Sequence, residues 1–159
     1  MRKSNYDKFP STHTDGMAIV GWEKITTILK EQWGDCPVWG IDLYAGTYEE
    51  DFIQAFQGLG RTIIDTRSLM RPEKELLQLT ERFITDDVLF GYLSNIKLSE
   101  YFDPDKVAGL KTRIAAGESL IVIGTGAACF IPDEAPLAYA DMARWEIQQR
   151  FRRDRKSVV

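Results

Sequence analysis

The chain has 159 residues, of which 44% are hydrophobic and 28% charged, and its formal net charge is −4. This length suits one domain with a core of its own, and the balanced composition argues against disorder. No apolar run approaches the roughly 18 residues that a membrane span needs, and the polar start is not that of a signal peptide. We therefore expect a cytoplasmic protein with no membrane partner, folded as a single domain over residues 1–159 behind a polar tail at 1–16.

Helices and strands are predicted to alternate along the chain. The pattern predicts helices at 22–33, 47–56, 72–84, 103–116 and 142–153. Between them it predicts strands at 37–44, 61–66, 119–124 and 136–141. Strands that are apolar on both faces and alternate with helices indicate a mostly parallel sheet covered on both sides. The predicted fold class is therefore α/β, with three layers.

The turn after the first strand lies where a nucleotide-binding kinase keeps its phosphate loop. Such a loop needs several glycines and a Lys-Ser or Lys-Thr pair around the phosphates. Here Gly46 is the one glycine beyond the strand, no lysine follows, and three acidic residues at 49–51 open the next helix. Because carboxylates repel a polyphosphate at close range, ordinary ATP binding at this turn is disfavoured. Thr47 is predicted to cap the helix, with Glu50 completing a capping box.

Candidate ligand contacts lie near the predicted carboxyl ends of the strands, where open parallel sheets bind their ligands. Small residues in the turn 124–128 would let backbone amides approach a phosphate or a sugar, although such glycines equally serve tight turns. Asp42 is either a ligand contact or a strand-end residue that bonds backbone amides. The full set of candidates is Asp42, Tyr44, Gly46, Gly124, Gly126, Asp141, Arg144 and Arg150.

The last predicted helix concentrates positive charge. Residues 144–156 include six basic and two acidic residues. These bases either steer an anion or a partner toward the helix, or form a solvated end that complements the helix dipole. Glu146 and Arg150 are four residues apart and are predicted to pair, while Arg144 or Arg150 could reach a bound anion.

Metal and nucleophilic chemistry lack the residues that they need. The single histidine, His13, lies in the polar tail, and Cys36 and Cys129 are far apart in the sequence. A zinc site draws on several histidine or cysteine side chains, so we predict no metal site and two reduced thiols in or near the core. A Ser-His-Asp or Cys-His arrangement would depend on His13 alone. The sequence identifies no cofactor.

Four stretches of the chain are similar to a known family. They are residues 2–10 (RKSNYDKFP), 40–46 (GIDLYAG), 123–127 (IGTGA) and 139–146 (YADMARWE). With them the chain resembles the N-terminal region of some bacterial mannose-6-phosphate isomerase-like proteins, in which an α/β segment similar to P-loop kinases precedes a cupin-type isomerase region. The resemblance implies a kinase-like fold without a standard P-loop, and it leaves open that the chain is the N-terminal part of a longer protein. The zinc ligands of the isomerase have no counterpart here, so no catalytic residue is carried over.

These observations lead to three hypotheses of function. The first is a non-catalytic domain that binds a phosphorylated small molecule, either a sugar phosphate or a nucleotide. This domain would serve a mannose-6-phosphate isomerase-like protein, with a downstream cupin-type domain as a further partner. The second is a small kinase-like phosphotransferase in which Asp42 acts as base or magnesium ligand. The third is a protein-interaction domain that uses exposed aromatic residues such as Trp22, Trp33 or Tyr48. Nucleic acid is not expected as a partner, and whether the chain is an enzyme stays open.

Overall fold

The computed structural model describes residues 13, 15–16, 18–87 and 91–156. Within them the elements are, in chain order, α1 (Trp22–Trp33), β1 (Val38–Leu43), α2 (Glu49–Phe56), β2 (Thr62–Asp65), α3 (Glu73–Thr80), α4 (Pro104–Ala115), β3 (Leu120–Gly124), β4 (Leu137–Ala140) and α5 (Arg144–Lys156). None of the helices in this described part has the length and apolar character to span a bilayer. The predicted polar tail over 1–16 lies outside the described residues except at positions 13, 15 and 16.

The four strands form one parallel sheet in the order β2-β3-β1-β4. In the central pair, Val38 lies beside Leu120 and Asp42 lies beside Gly124. Strand β4 pairs with β1 at one edge, and β2 pairs with β3 at the other. Since all strands run in the same direction, their carboxyl ends and the loops that follow them gather along one edge of the sheet. The prediction of an α/β fold with a mostly parallel sheet between helices is confirmed.

Side chains of the central strands alternate between two cores on opposite faces of the sheet. One core contains Trp39, Ile41, Leu43, Ile121 and Ile123 together with Phe56 of α2, and Leu29 and Trp33 of α1 pack against it. The other contains Val38, Leu120 and Val122 together with Leu110 of α4 and with Ala127 and Phe130 after β3. Strand β3 is buried at all of its positions, which explains why its sequence is a continuous apolar run. Helices on both faces complete the three layers.

Three predicted helices differ from those observed by two residues or more. Helix α5 covers Arg144–Lys156 in place of the predicted 142–153. Helix α3 is shorter than the predicted 72–84, because it ends at Thr80 and residues 81–83 tighten into a 3-10 turn. Helix α2 begins at Glu49, two residues after the predicted cap, and no side chain caps its amides.

The capping box predicted at Thr47 and Glu50 is wrong. Thr47 lies in a turn in which its amide donates to the Tyr44 carbonyl at 3.1 Å, so the helix starts beyond it. Among the described residues, its hydroxyl is buried without a hydrogen-bond partner. The Glu50 carboxylate instead accepts a hydrogen bond from Arg67 at 3.0 Å. A local motif was therefore overridden by an ion pair to a residue on another segment.

Candidate functional site

The connections that leave β1 and β3 run over opposite faces of the sheet. Strand β1 leads to α2, whose Phe56 packs in one core, whereas β3 leads to the 3-10 turn Ala127–Cys129, whose Ala127 packs in the other. Because β1 and β3 are neighbours, their carboxyl ends form the kind of crevice in which open α/β sheets bind ligands. Three of the predicted candidates, Asp42, Gly124 and Gly126, lie at this crevice.

The side chain of Asp42 occupies the crevice. Its Oδ1 accepts a hydrogen bond from the Gly126 amide at 3.1 Å, and its Oδ2 accepts one from the Ala128 amide at 3.0 Å. The Thr125 hydroxyl donates to the Leu43 carbonyl at 3.0 Å and joins the same two loops. Gly126 has a φ of +82°, and left-handed residues in such turns direct neighbouring amides toward one anion. The carboxylate therefore lies where a phosphate on these amides would lie.

A cavity of about 290 Å³ opens between the turn that follows β1 and helix α5. It is lined by Ala45, Gly46, Tyr48, Met142, Ile147, Arg150 and Arg153. Two of the predicted candidates, Gly46 and Arg150, thus meet at this place. We call this space the α5 cavity.

Arg150 is held in the α5 cavity by three contacts. Its Nε donates to Glu146 Oε1 at 2.9 Å, which confirms the pair predicted from their spacing. Its Nη1 donates to the Gly46 carbonyl, and its guanidinium carbon lies 3.9 Å from the centroid of the Tyr48 ring. By contrast, the Arg153 side chain is 66% exposed and approaches Glu146 only to 4.0 Å. The cavity therefore combines one fixed and one accessible guanidinium group.

The other three candidates are not part of the α5 cavity lining. Tyr44 is 40% exposed, and its amide donates to the Ala140 carbonyl at 2.9 Å, beyond the end of β1. The Asp141 carboxylate accepts the amide hydrogen of the next residue, Met142, at 2.7 Å. Arg144 is exposed at the start of α5. The candidates thus divide between the Asp42 crevice, the α5 cavity and the surface beside them.

An ion-pair cluster surrounds Arg67, just after β2. Its Nη2 lies 2.7 Å from Asp65 Oδ2, and its Nη1 lies 3.0 Å from Glu50 Oε1. Its Nε lies 2.8 Å from Glu49 Oε2. Two of the three acidic residues that open α2 are therefore paired on the β2 side of the molecule.

The environment of this cluster shifts the pKa of its members in different directions. Burial raises the pKa of Glu49, and the charge of Arg67 opposes that shift. A hydrogen bond to its own backbone, followed by the bond from Arg67, lowers the pKa of Glu50. Hydrogen bonds to Asp65 and Glu50 raise the pKa of Arg67, so this guanidinium stays charged. With three carboxylates around it, Arg67 holds loops together and is not free to receive an anion.

Replacing Arg67 by methionine is expected to lower the free energy of unfolding by about 1 kcal/mol at pH 7, since the side chain is half exposed and its ion pairs are screened. The loss should shrink as the pH falls, because protonated carboxyl groups cease to repel one another. In the native chain, the lowered pKa of Glu50 stabilises the fold above its unfolded pKa, and this contribution disappears as the pH falls. The raised pKa of Glu49 acts in the opposite sense, so it costs stability as the pH rises.

Urea unfolding at pH 7 and at pH 3.5 measures this effect. The matched control is Arg113→Met, which removes a guanidinium whose Nη2 lies 2.7 Å from Glu118 as its single ion-pair partner in the described part. We expect a smaller and less pH-dependent loss in the control. Equal losses in the two variants would contradict a shared role of Arg67 for three carboxylates.

A cleft of about 510 Å³ lies between residues 18–20 and helix α1. A second cleft of about 280 Å³ is lined by Glu49, Thr66, Arg67, Met70, Leu98, Tyr101, Phe102 and Thr125. Within the described residues, no group of three or more His, Cys, Asp or Glu side chains could hold a metal ion. Both cysteines are free. The prediction that Cys129 lies in or near the core is wrong, because its side chain is exposed. Ala127 and Phe130 supply the buried side chains of its turn.

Sequence reasoning missed Arg67 and Arg153. Arg153 follows Arg150 by three residues, and this helical spacing could have predicted that both lie on the same side of α5. The environment of Arg67 carries no such signal, because its carboxylate partners on α2 are contributed by a different segment of the chain.

The fold and these contacts define a parallel α/β domain with a small cavity at the carboxyl edge of its sheet. The chain belongs to the family described as "Domain of unknown function (DUF8485)", whose model matches residues 21–157. Comparisons with curated proteins and with solved structures find no match. The matched region includes all the described helices and strands, and with them both the Asp42 crevice and the α5 cavity.

Proposed function

We propose that this domain binds a phosphorylated small molecule, a sugar phosphate or a nucleotide, without transforming it. The observation that carries the proposal is the α5 cavity, where Arg150 and Arg153 stand beside an aromatic ring and apolar side chains. Arginine makes forked hydrogen bonds to phosphate, and small-molecule sites combine an apolar lining with a few placed polar groups. The volume of about 290 Å³ lies at the small end of the range of ligand pockets, about 300 to 1,000 Å³, and therefore favours a small ligand.

The distribution of charge supports an anionic ligand in the α5 cavity. Glu49 and Glu50 are paired with Arg67 on the β2 side, so much of the repulsion expected from the start of α2 is neutralised elsewhere. Glu146 is the carboxylate that contacts the two cavity arginines in the described part of the chain. Two guanidinium groups against one carboxylate leave an attractive field for a phosphate.

The Asp42 crevice is less suited to an anion, because a phosphate there would meet a carboxylate in place of free amides. The same contact weighs against the phosphotransferase alternative. Both Asp42 oxygens already accept amide hydrogen bonds, so a proton or a magnesium ion could be reached only by their remaining lone pairs. These contacts favour binding in the α5 cavity over the turn 124–128.

The association with a mannose-6-phosphate isomerase-like protein, and with a cupin-type partner domain, is a further part of the proposal. It rests on the resemblance of four sequence stretches, as does the choice of sugar phosphate. Mannose 6-phosphate is therefore the first sugar phosphate to test. A cytoplasmic location fits the same proposal, since phosphorylated metabolites are found there.

Thermal unfolding with mannose 6-phosphate, fructose 6-phosphate, AMP or ATP, each with and without magnesium, tests the proposed function. A ligand at 100 times its dissociation constant adds about 2.7 kcal/mol of stability, which corresponds to several degrees in melting temperature for a chain of this size. Turnover of ATP would favour the phosphotransferase hypothesis over that of a non-catalytic binding domain. No shift with any compound would leave the interaction domain as the better hypothesis.

Arg153→Gln is expected to weaken binding of the stabilising compound roughly tenfold, because a charge-assisted hydrogen bond to phosphate is lost. Arg153 is the better test than Arg150, whose removal would also disturb Gly46 and Tyr48. The matched control is Arg152→Gln, which removes the same charge from the same helix outside the cavity lining. Calorimetric titration of both variants measures the difference. Equal losses would indicate a diffuse charge effect and would contradict the placement of the site.

A further inference from the structure

We infer that the ligand of the α5 cavity is a nucleoside monophosphate, with its base stacked on Tyr48 and its phosphate bound by Arg153. This inference rests on the proposed function and chooses between the two ligand classes that it allows. Three features of the cavity lead to it: the fixed position of the Tyr48 ring, the chemistry of the remaining lining and the number of arginine donors that are still available.

The Tyr48 ring is an exposed aromatic surface held in place. It is 54% exposed although it lines the cavity. The Arg150 guanidinium covers one face of the ring at 3.9 Å from its centroid, which leaves the opposite face for a base. Glu146 and the Gly46 carbonyl fix that guanidinium in turn. An aromatic ring that is positioned before the ligand arrives loses little freedom on binding. Base stacking on such rings tolerates every nucleobase, because each base has a π-face.

The remaining side chains of the lining favour a planar apolar ring over a hexose. The side chains of Ala45, Met142 and Ile147 have no hydrogen-bond donors and offer apolar contact, and Gly46 has no side chain. A hexose displays hydroxyl groups around its ring and needs polar side chains to satisfy them when it is buried. A nucleobase needs flat apolar neighbours on its faces, and the thioether of Met142 adapts readily to aromatic rings.

The available arginine donors match one phosphate group. Arg150 already uses its Nε and Nη1 on Glu146 and Gly46. Arg153 approaches a carboxylate only at 4.0 Å and is largely exposed, so its guanidinium fork is accessible to a ligand. A triphosphate would need further cationic groups or a metal ion to neutralise it. The cavity volume of about 290 Å³ points in the same direction.

The test compares AMP and UMP with ribose 5-phosphate, which carries the same sugar phosphate without a base. Calorimetric titrations use the full chain, Tyr48→Leu and the matched control Tyr48→Phe, which keeps the ring. We expect AMP or UMP to bind at least roughly tenfold more tightly than ribose 5-phosphate. Tyr48→Leu should lose roughly 10- to 100-fold of the nucleotide affinity, while Tyr48→Phe retains most of it. Binding of ribose 5-phosphate should change little in either variant.

A second measurement separates stacking from a structural effect of Tyr48. In nuclear magnetic resonance spectra, the base protons of the bound nucleotide should shift upfield with the native chain and with Tyr48→Phe, but not with Tyr48→Leu. If ribose 5-phosphate binds as tightly as both nucleotides, or if mannose 6-phosphate binds most tightly, the inference is overturned and the proposed function stands. Equal loss of both ligand types in Tyr48→Leu overturns it in the same way. The proposed function itself fails if no phosphorylated compound binds.

Discussion

Gly124→Ala is expected to lower the free energy of unfolding by about 3 to 5 kcal/mol, since strain and overpacking act together. Gly124 ends β3 with a φ of +132°, a backbone conformation that side chains rarely adopt. An added Cβ would overlap the Thr66 hydroxyl and lie 3.1 Å from the Thr66 Cβ. Thr66 is only 2% exposed and follows β2 directly, so it cannot give way toward solvent. The melting temperature should fall by roughly 6 to 20 °C.

Thermal and urea unfolding measure this effect, with Gly109→Ala as the matched control. Gly109 lies within α4 and has no atom within 4 Å of the position of an added Cβ. The control should therefore gain about 0.5 to 1 kcal/mol, because alanine is the better helix former. If the two substitutions had similar effects, the close approach between the ends of β2 and β3 would be refuted. A displaced Thr66 would also carry Arg67 and its carboxylate cluster with it.

Asp42→Ala is expected to destabilise the fold by about 2 to 4 kcal/mol, the loss of two hydrogen bonds to a charged acceptor. The amides of Gly126 and Ala128 would lose their partner, and Gly126 is buried, where water does not readily replace the carboxylate. Asp42→Asn keeps one acceptor oxygen and should lose about half as much. Urea unfolding at pH 7 measures all three chains.

Asp141→Ala is the control for this prediction. Its carboxylate also accepts a backbone amide hydrogen, at 2.7 Å, but from the adjacent residue Met142 at an exposed position. We expect a loss of less than about 1 kcal/mol there. If Asp42→Ala unfolded as readily as this control, Asp42 would not be the residue that holds the turn after β3. A ligand role for its carboxylate would then become the better explanation.

The helices and strands could be predicted because their signals are local. The run 119–124 is continuously apolar, and β3 is buried at all of its positions. Apolar residues at helical spacing mark 22–33, and α1 occupies those residues. The same local reasoning failed at Thr47 and Glu50, where the motif is complete but the carboxylate binds Arg67. A capping box competes with long-range ion pairs that its own sequence does not contain.

The role of Asp42 could not be decided from the sequence. Two roles were open to it, and its contacts are to amides that lie 84 and 86 residues further along the chain. Gly46 and Arg150 were both candidates, but their contact spans 104 residues. No periodicity or motif connects positions so far apart, because such contacts depend on how the strands are ordered in the sheet.

By itself, the sequence determined the alternation of helices and strands, the parallel sheet and the pairing of Glu146 with Arg150. Each of these follows from preferences that act over a few residues: apolar periodicity, strand burial on both faces and i, i+4 spacing. Only the tertiary structure decided that Asp42 fills the crevice between β1 and β3, that Arg67 gathers three carboxylates and that α5 forms a cavity with the turn after β1. These features arise where burial of the two cores brings separate loops to one edge of the sheet, and that juxtaposition depends on strand order and not on local pattern.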